Sequence, residues 1–216
     1  MSPRRAPGAV EVDRLAGDGL RCERGERELF AGLRFAVESG EVLHVEGRNG
    51  AGKTTLLRLL CGLAQPDAGV VKWRGEDIAH IRPEYLAQLA YVGHSHGVKG
   101  GLTVVENLRV AQALSTQSQN TDLDEAISGV GLAGYEDALG KTLSAGQRRR
   151  AALARLLAAD APLWILDEPY TALDTDGVGI VNRLLHDHSA GGGMAVVSSH
   201  QAVEIDGVEI RRLSIA

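Results

Sequence analysis

The chain has 216 residues, enough to bury a self-sufficient core as one large or two small domains. Its 44% hydrophobic and 24% charged residues exclude a disordered chain, and a formal net charge of -5 supplies no basic footprint for nucleic acid as the main partner. Cys22 and Cys61 stand far apart with no CxxC or CxxCH around either, which indicates neither a disulfide framework nor covalent haem attachment and reads as two small apolar groups for the core.

Residues 1–8 contain two arginines with no apolar segment behind them, so they read as a flexible tail and not a secretory leader, ahead of a single domain over 9–216. No apolar run approaches the roughly 18 residues needed to cross a bilayer. Val10 and Val12 alternate, as do Leu33, Phe35 and Val37, and Val42, Leu43 and Val45 form a denser run, so residues 10–46 read as strands ending in a buried one. A glycine loop follows. From Gly52 the apolar spacing becomes helical, with Leu56, Leu57, Leu59, Leu60 and Leu63 on a broad face that closes at Gly62 and the Pro66–Gly69 turn.

A helix-rich segment covers about 103–160. Thr103 and Glu106 form a capping box there, and Thr121 is the expected cap of a second helix with Leu123, Ile127 and Val130 on one face. The polar stretch Ser115–Asn120 between the two reads as an exposed linker. Leu163–Leu166 suits a central parallel strand; a helix over about Val178–His188, a break at Gly191–Gly193 and a strand Met194–Ser198 complete a βαβ unit. Val208–Ile215 is expected to pair as a last hairpin. No long internal repeat is visible, so the motifs below occur once.

Gly47-Arg48-Asn49-Gly50-Ala51-Gly52-Lys53-Thr54, followed by Thr55, fits the phosphate-loop pattern GxxxxGK[ST] and sits between a buried strand and a helix, as that chemistry demands. Its glycines let backbone N–H groups face phosphates, and the helix N-terminus adds partial positive charge. Lys53 can bridge the β- and γ-phosphates, and the Thr54 hydroxyl can ligate Mg²⁺. An ordinary glycine turn would show the same glycines but not this strand-loop-helix setting.

Leu163-Trp164-Ile165-Leu166-Asp167-Glu168 delivers two acids to the carboxyl end of a strand, where open α/β sheets bind ligands. Alone they would read as solvated acids at a strand end. Beside a phosphate loop, Asp167 is expected to hold the magnesium shell and Glu168 to polarise the attacking water. Trp164 reads as core. His186 and His188 lie on different helix faces and make no metal site. Arg148–Arg150 reads as a solvated or phosphate-facing helix turn.

Leu143-Ser144-Ala145-Gly146-Gln147 resembles the LSGGQ signature of ATP-binding-cassette proteins. The order of phosphate loop, signature, paired acids, Ala172-Leu173-Asp174 and a late His200 is similar to that family throughout. Cys22-Glu23-Arg24, Leu29-Phe30, Gly93-His94, Leu102-Thr103 with Glu106-Asn107-Leu108, Arg148–Arg150 and Leu163–Pro169 further resemble the ATP-binding subunits of the cytochrome c maturation, or haem-exporter, family. The resemblance implies an α/β phosphate-loop NTPase fold with a mainly parallel central sheet, an N-terminal antiparallel β subdomain and a helical signature subdomain over about 95–160.

It also implies an ATPase that uses ATP and Mg²⁺, with Lys53, Glu168 and His200 catalytic and Thr54, Asp167 and His94 around the metal. Ser144, Ala145, Gly146 and Gln147 would act on the opposite copy of a homodimer, with Asp174 in the loop between sites. The expected partners are multispanning permease subunits at the cytoplasmic face of a bacterial inner membrane, contacted between His94 and Thr103, with neither nucleic acid nor haem bound directly. The ATPase of another transporter, or a soluble cassette acting on nucleic acid, are the alternatives, and haem export and haem-carrier release both stand as couplings.

Three positions depart from the general pattern: Arg24 where an aromatic residue commonly stacks on adenine, His94 where a glutamine is usual, and Ala145 for a signature glycine. His96 rivals His94 for its role. A guanidinium can stack on a base but offers a poorer apolar platform, so weak base discrimination is expected.

Overall fold

The computed structural model describes residues 14–25, 27–95, 97–115 and 121–215; the N-terminal tail with Val10 and Val12, His96, and residues 116–120 of the expected linker lie outside the described residues. In chain order the elements are β1 (Arg14–Arg24), β2 (Arg27–Glu38), β3 (Glu41–Glu46), α1 (Lys53–Leu60), β4 (Ala68–Trp73), β5 (Glu76–Asp77), α2 (Arg82–Leu86) and β6 (Leu89–Val92). There follow α3 (Val104–Leu114), α4 (Leu123–Gly129), α5 (Ala145–Ala159), β7 (Leu163–Asp167), α6 (Thr175–Ala190), β8 (Met194–Ser198) and β9 (Glu209–Ser214).

Two sheets result. The first, in the order β2-β1-β4-β5, is antiparallel, and the second, β6-β7-β8-β3-β9, is parallel throughout. In β1 the inward set runs Leu15 and Gly17, then switches to Leu20 and Cys22. The register slips between Gly17 and Leu20, and the bulge moves the buried face by one residue so that alternation resumes. β7 and β8 are buried at every position, as parallel strands covered on both faces must be.

Alternation within those strands divides the core. Leu163, Ile165, Met194 and Val196 face α1 and the first sheet, while Trp164, Leu166, Ala195 and Val197 face the helical half. On α1, Leu56, Leu57, Leu59 and Leu60 are each at most 1% exposed, and removing each from water contributes roughly 1.5–3 kcal/mol. Leu63 is not part of that face. The helix ends at Leu60, Gly62 turns with φ 63°, and Leu63 is 53% exposed. α3 and α4 pack on α5 to make the helical side.

The capping box at Thr103 is present: its hydroxyl accepts from Glu106 N, and Glu106 accepts from Thr103 N at 2.8 Å. α4 is capped by Asp122 and not by Thr121. The Asp122 carboxylate accepts from Asp124 N and Glu125 N, where its full charge suits the positive helix end better than a hydroxyl. The expected hairpin over Val208–Ile215 is replaced by β9, which pairs parallel with β3 from Glu41↔Glu209 to Glu46↔Ser214 and covers what would be an open edge. Cys22 and Cys61 are free and buried, and burial pushes the Cys61 thiol up. Among the described residues no helix is long and apolar enough to cross a membrane.

Candidate active site

The loop after β3 threads close to the end of the chain's last strand. A Cβ on Gly47 would stand 2.4 Å from the Ile215 carbonyl oxygen, so only glycine lets the two backbones pass. Gly52, at φ 109°, then starts α1 with no side-chain cap, leaving the first N–H groups of that helix to an outside acceptor. Lys53 is 7% exposed and turned inward; its Nζ donates to Gly47 O at 2.7 Å and lies 3.2 Å from His200 Nδ1. The cation is thus held over the loop by the loop's own carbonyl.

β7 and β8 end side by side and present the acids. Asp167 is 1% exposed; its Oδ1 accepts from Ser198 Oγ at 2.7 Å, while Oδ2 has no partner. Glu168 has a left-handed backbone (φ 52°), costly for a non-glycine residue. Its N–H donates to Ser198 Oγ at 3.0 Å and to Ser198 O at 3.2 Å. Glu168 Oε1 lies 3.1 Å from His200 Nε2 and 3.7 Å from Lys53 Nζ, yet no donor is aligned on it. A carboxylate oxygen beside a cation and a histidine, with no donor aligned on it, retains the capacity to accept a hydrogen bond.

Gly52, Lys53, Glu168 and His200 line an open cleft of about 590 Å³. Arg24, Arg27, Arg48, Arg58 and Lys53 face it against a single acid, Glu168, so its charge suits a polyanion. His94, Thr54, Thr55, Asn49, Gly50 and His200 line the same cleft, and Asp167 lies beneath through the Ser198 bridge. Ala51 is buried at 4% exposure in the core below the loop. Beside the cleft, burial pushes the Tyr91 phenol up to about 12, with the Asp167 charge adding to the effect.

The signature residues are not among the cleft's lining. Ser144 caps α5, accepting from Gln147 N at 3.1 Å while Gln147 Oε1 accepts from Ser144 N at 2.9 Å. The hydroxyl used as acceptor keeps its proton to donate elsewhere. Ala145 is exposed, and Gly146 runs near Ala172, where a Cβ would come within 3.2 Å of the carbonyl oxygen. Asp174 caps α6 through Gly177 N at 2.8 Å and pairs with Arg150 at 2.7 Å; both hold its carboxyl below the usual range.

Arg148–Arg150 is not a solvated turn. Arg149 is 1% exposed and donates to the carbonyls of Gly93 (3.0 Å), Pro169 (3.2 Å), Asp167 (2.8 Å) and Glu168. Burial pulls its guanidinium down from the ordinary value, opposed by the Asp167 and Glu168 charges. Its helical phase was the available signal, because Arg149 precedes the buried Leu153 and Leu156 by four and seven positions. Ser198, hidden in an apolar strand, carried no such signal. His188 stacks on Trp164 with ring centres 3.8 Å apart, and among the described residues no three or more His, Cys, Asp or Glu side chains gather as a metal-holding cluster.

Residues 30–171 match the family described as ABC transporter. The chain is 49% identical over 203 residues to the Cytochrome c biogenesis ATP-binding export protein CcmA of Methylococcus capsulatus, covering 94% of this chain and 98% of that one. It is 52% identical over 192 residues to the protein of the same description from Nitrosococcus oceani, covering 89% and 88%. Among solved structures, one described as the ATP binding subunit of an ABC transporter superposes with a TM-score of 0.79 at 25% identity, covering 86% of this chain and 79% of that one. A bacterial Atm1-family ABC exporter with ATP bound gives 0.81 at 25% identity, covering 100% of this chain and 40% of that one. The chain therefore belongs to the ATP-binding-cassette transporter family and, within it, to the cytochrome c biogenesis ATP-binding export proteins, as a nucleotide-binding ATPase subunit.

Proposed function

We propose that two copies of this chain enclose two ATP molecules head to tail and drive multispanning permease subunits of cytochrome c maturation from the cytoplasmic face of a bacterial inner membrane. The observation that carries the paired arrangement is the separation of motifs. The cleft holds the phosphate loop, Glu168 and His200, while Ser144 and Gly146 lie outside it at the start of α5, so one chain alone does not surround a γ-phosphate. A second copy supplies the missing donors.

In this reading the phosphate loop from Gly47 to Thr54 and the uncapped start of α1 bind the triphosphate, and Lys53 exchanges the Gly47 carbonyl for phosphate oxygens. Arg24 lies against the base. Asp167 Oδ2, buried without a hydrogen-bond partner, fits the hydration shell of a magnesium ion, and Thr54 and His94 in the cleft lining would complete its surroundings. Magnesium there would neutralise charge on the β- and γ-oxygens. Glu168 polarises the attacking water, His200 steadies the γ-phosphate, and the neighbouring copy's signature completes the enclosure. Asp174 sets the loop between the two sites. Closure followed by phosphate release supplies the stroke that a permease uses, whether for haem export or for release of haem from a carrier.

The test is affinity purification of tagged protein from detergent-solubilised membranes, with mass spectrometry of what co-elutes and an absorption spectrum for haem. Recovery of cytochrome c maturation membrane subunits is expected. A different permease would overturn the cytochrome branch, and ribosomes or DNA-repair factors would overturn the transport reading.

A further inference from the structure

Arg149 brings together three parts of the protein that the reaction must coordinate. It leaves α5 in its second turn, five residues past the signature Ser144, and reaches under the site to four carbonyls. Gly93 O belongs to the segment leading to His94; Asp167 O, Glu168 O and Pro169 O belong to the turn that carries the base. A planar guanidinium suits this task because its fork of donors satisfies several acceptors from one rigid group. Burying a cation is expensive, so its presence at 1% exposure calls for an account.

The account lies in the backbone of Glu168. At φ 52° this residue holds a conformation that its own sterics disfavour, and its surroundings must impose it. From one side Ser198 takes the Glu168 N–H at 3.0 Å and 3.2 Å. From the other, Arg149 takes the carbonyls of Asp167, Glu168 and Pro169. With both peptide planes held, the side chain is aimed into the cleft.

We propose that Arg149 is a positioning residue that sets the direction of the Glu168 carboxylate and ties it to the signature turn of the same chain. This rests on the reading of Glu168 as the group that polarises water. Because α5 is continuous from Ala145 through Arg149, any displacement of the signature turn is transmitted to the Glu168 carbonyl and to the segment before His94. In a head-to-tail pair the signature meets the nucleotide bound by the other copy. Arg149 then makes the base at one site respond to occupancy of the other.

The experiment compares the parent with Glu168→Gln, Arg149→Gln and Arg149→Lys, each as the full chain with whatever membrane subunits it retains. Bound ATP per chain, KM and kcat are read for each. Arg149→Gln is expected to bind ATP with the parent's stoichiometry and KM while kcat falls about 10²-fold, the scale of a misplaced catalytic group. Arg149→Lys should recover part of that loss, since an ammonium keeps the charge and reaches some of the carbonyls, and it carries the test if Arg149→Gln does not fold. A kcat per bound ATP equal to the parent's in either folded variant, beside a silent Glu168→Gln, overturns this inference alone. Parental turnover by Glu168→Gln overturns the base reading and this inference with it.

Discussion

At the carboxyl end of β7, Asp167 Oδ2 and Glu168 Oε1 are buried with no aligned donor, and Glu168 is held left-handed. At the amino end of the same strand Trp164 stacks on His188 with planes 8° apart, and His188 Nε2 reaches Met194 O at 3.2 Å. Gly193 is required there because a Cβ would lie 2.3 Å from the His188 ring. Trp164 Nε1 also lacks a partner, but a neutral indole costs far less to leave unpaired than a carboxylate. One end of the sheet is packed for stability; the other keeps charged groups unsatisfied so that a ligand can satisfy them.

The sharpest way to break this contrast is Glu168→Gln. It should lower kcat by about 10²–10⁴-fold while leaving the melting temperature equal or higher, because the amide carries no buried charge. A melting temperature below the parent's, measured without nucleotide, would make Glu168 a structural group and erase the difference between the ends.

The packed end is tested by pH. Burial lowers His188 to about 4, so the folded ring stays neutral while the unfolded ring takes up a proton below 6.5. The stabilisation is complete above pH 6.5 and is lost as pH falls toward 4, by roughly 3 kcal/mol. Urea midpoints at several pH values should show this slope in the parent and a flatter one in His188→Phe, with ATP turnover at pH 7 unchanged.

Two capping boxes allow a finer cut. Ser144→Ala and Thr103→Ala each remove a cap and should each cost about 1 kcal/mol of stability. Only Ser144→Ala should also depress ATP turnover, and equal loss in both variants would reduce the signature serine to a cap. The smallest effect is expected at the base. Arg24→Tyr should raise the ratio of ATP to GTP turnover by a factor worth about 1 kcal/mol or less, and an unchanged ratio would remove Arg24 from base recognition.

The phosphate loop, the paired acids and β8 were legible because each is a local pattern: a change of apolar period, or an apolar run with a chemical ending. The β1 bulge and the β9 pairing were not. Val208–Ile215 carries the same residues whether its partner is the next segment or β3, far away in the chain, and only the unpaired edge of β3 decides. Thr121 and Asp122 are both cap formers, and the choice rested on which oxygen reaches the Asp124 and Glu125 amides. Arg149 was misread because three consecutive arginines suggest a charged run, whereas helical phase separates the buried one from its neighbours. The cleft gathered Arg24 and His94 beside Lys53 and Glu168, but Ser198, which holds both acids, looked like one more strand residue.

The parallel ladder of β9 on β3 also orders events during synthesis. Residues 41–46 leave the ribosome early, yet their two neighbours in the sheet are made only at 194–198 and 209–214. Until then the strand leading into the phosphate loop has neither partner, and Gly47 lacks the Ile215 backbone that it packs against. A nascent chain therefore carries both edges of this strand unpaired until β8 and then β9 are made, so the ladder under the phosphate loop closes late and through contacts distant in sequence.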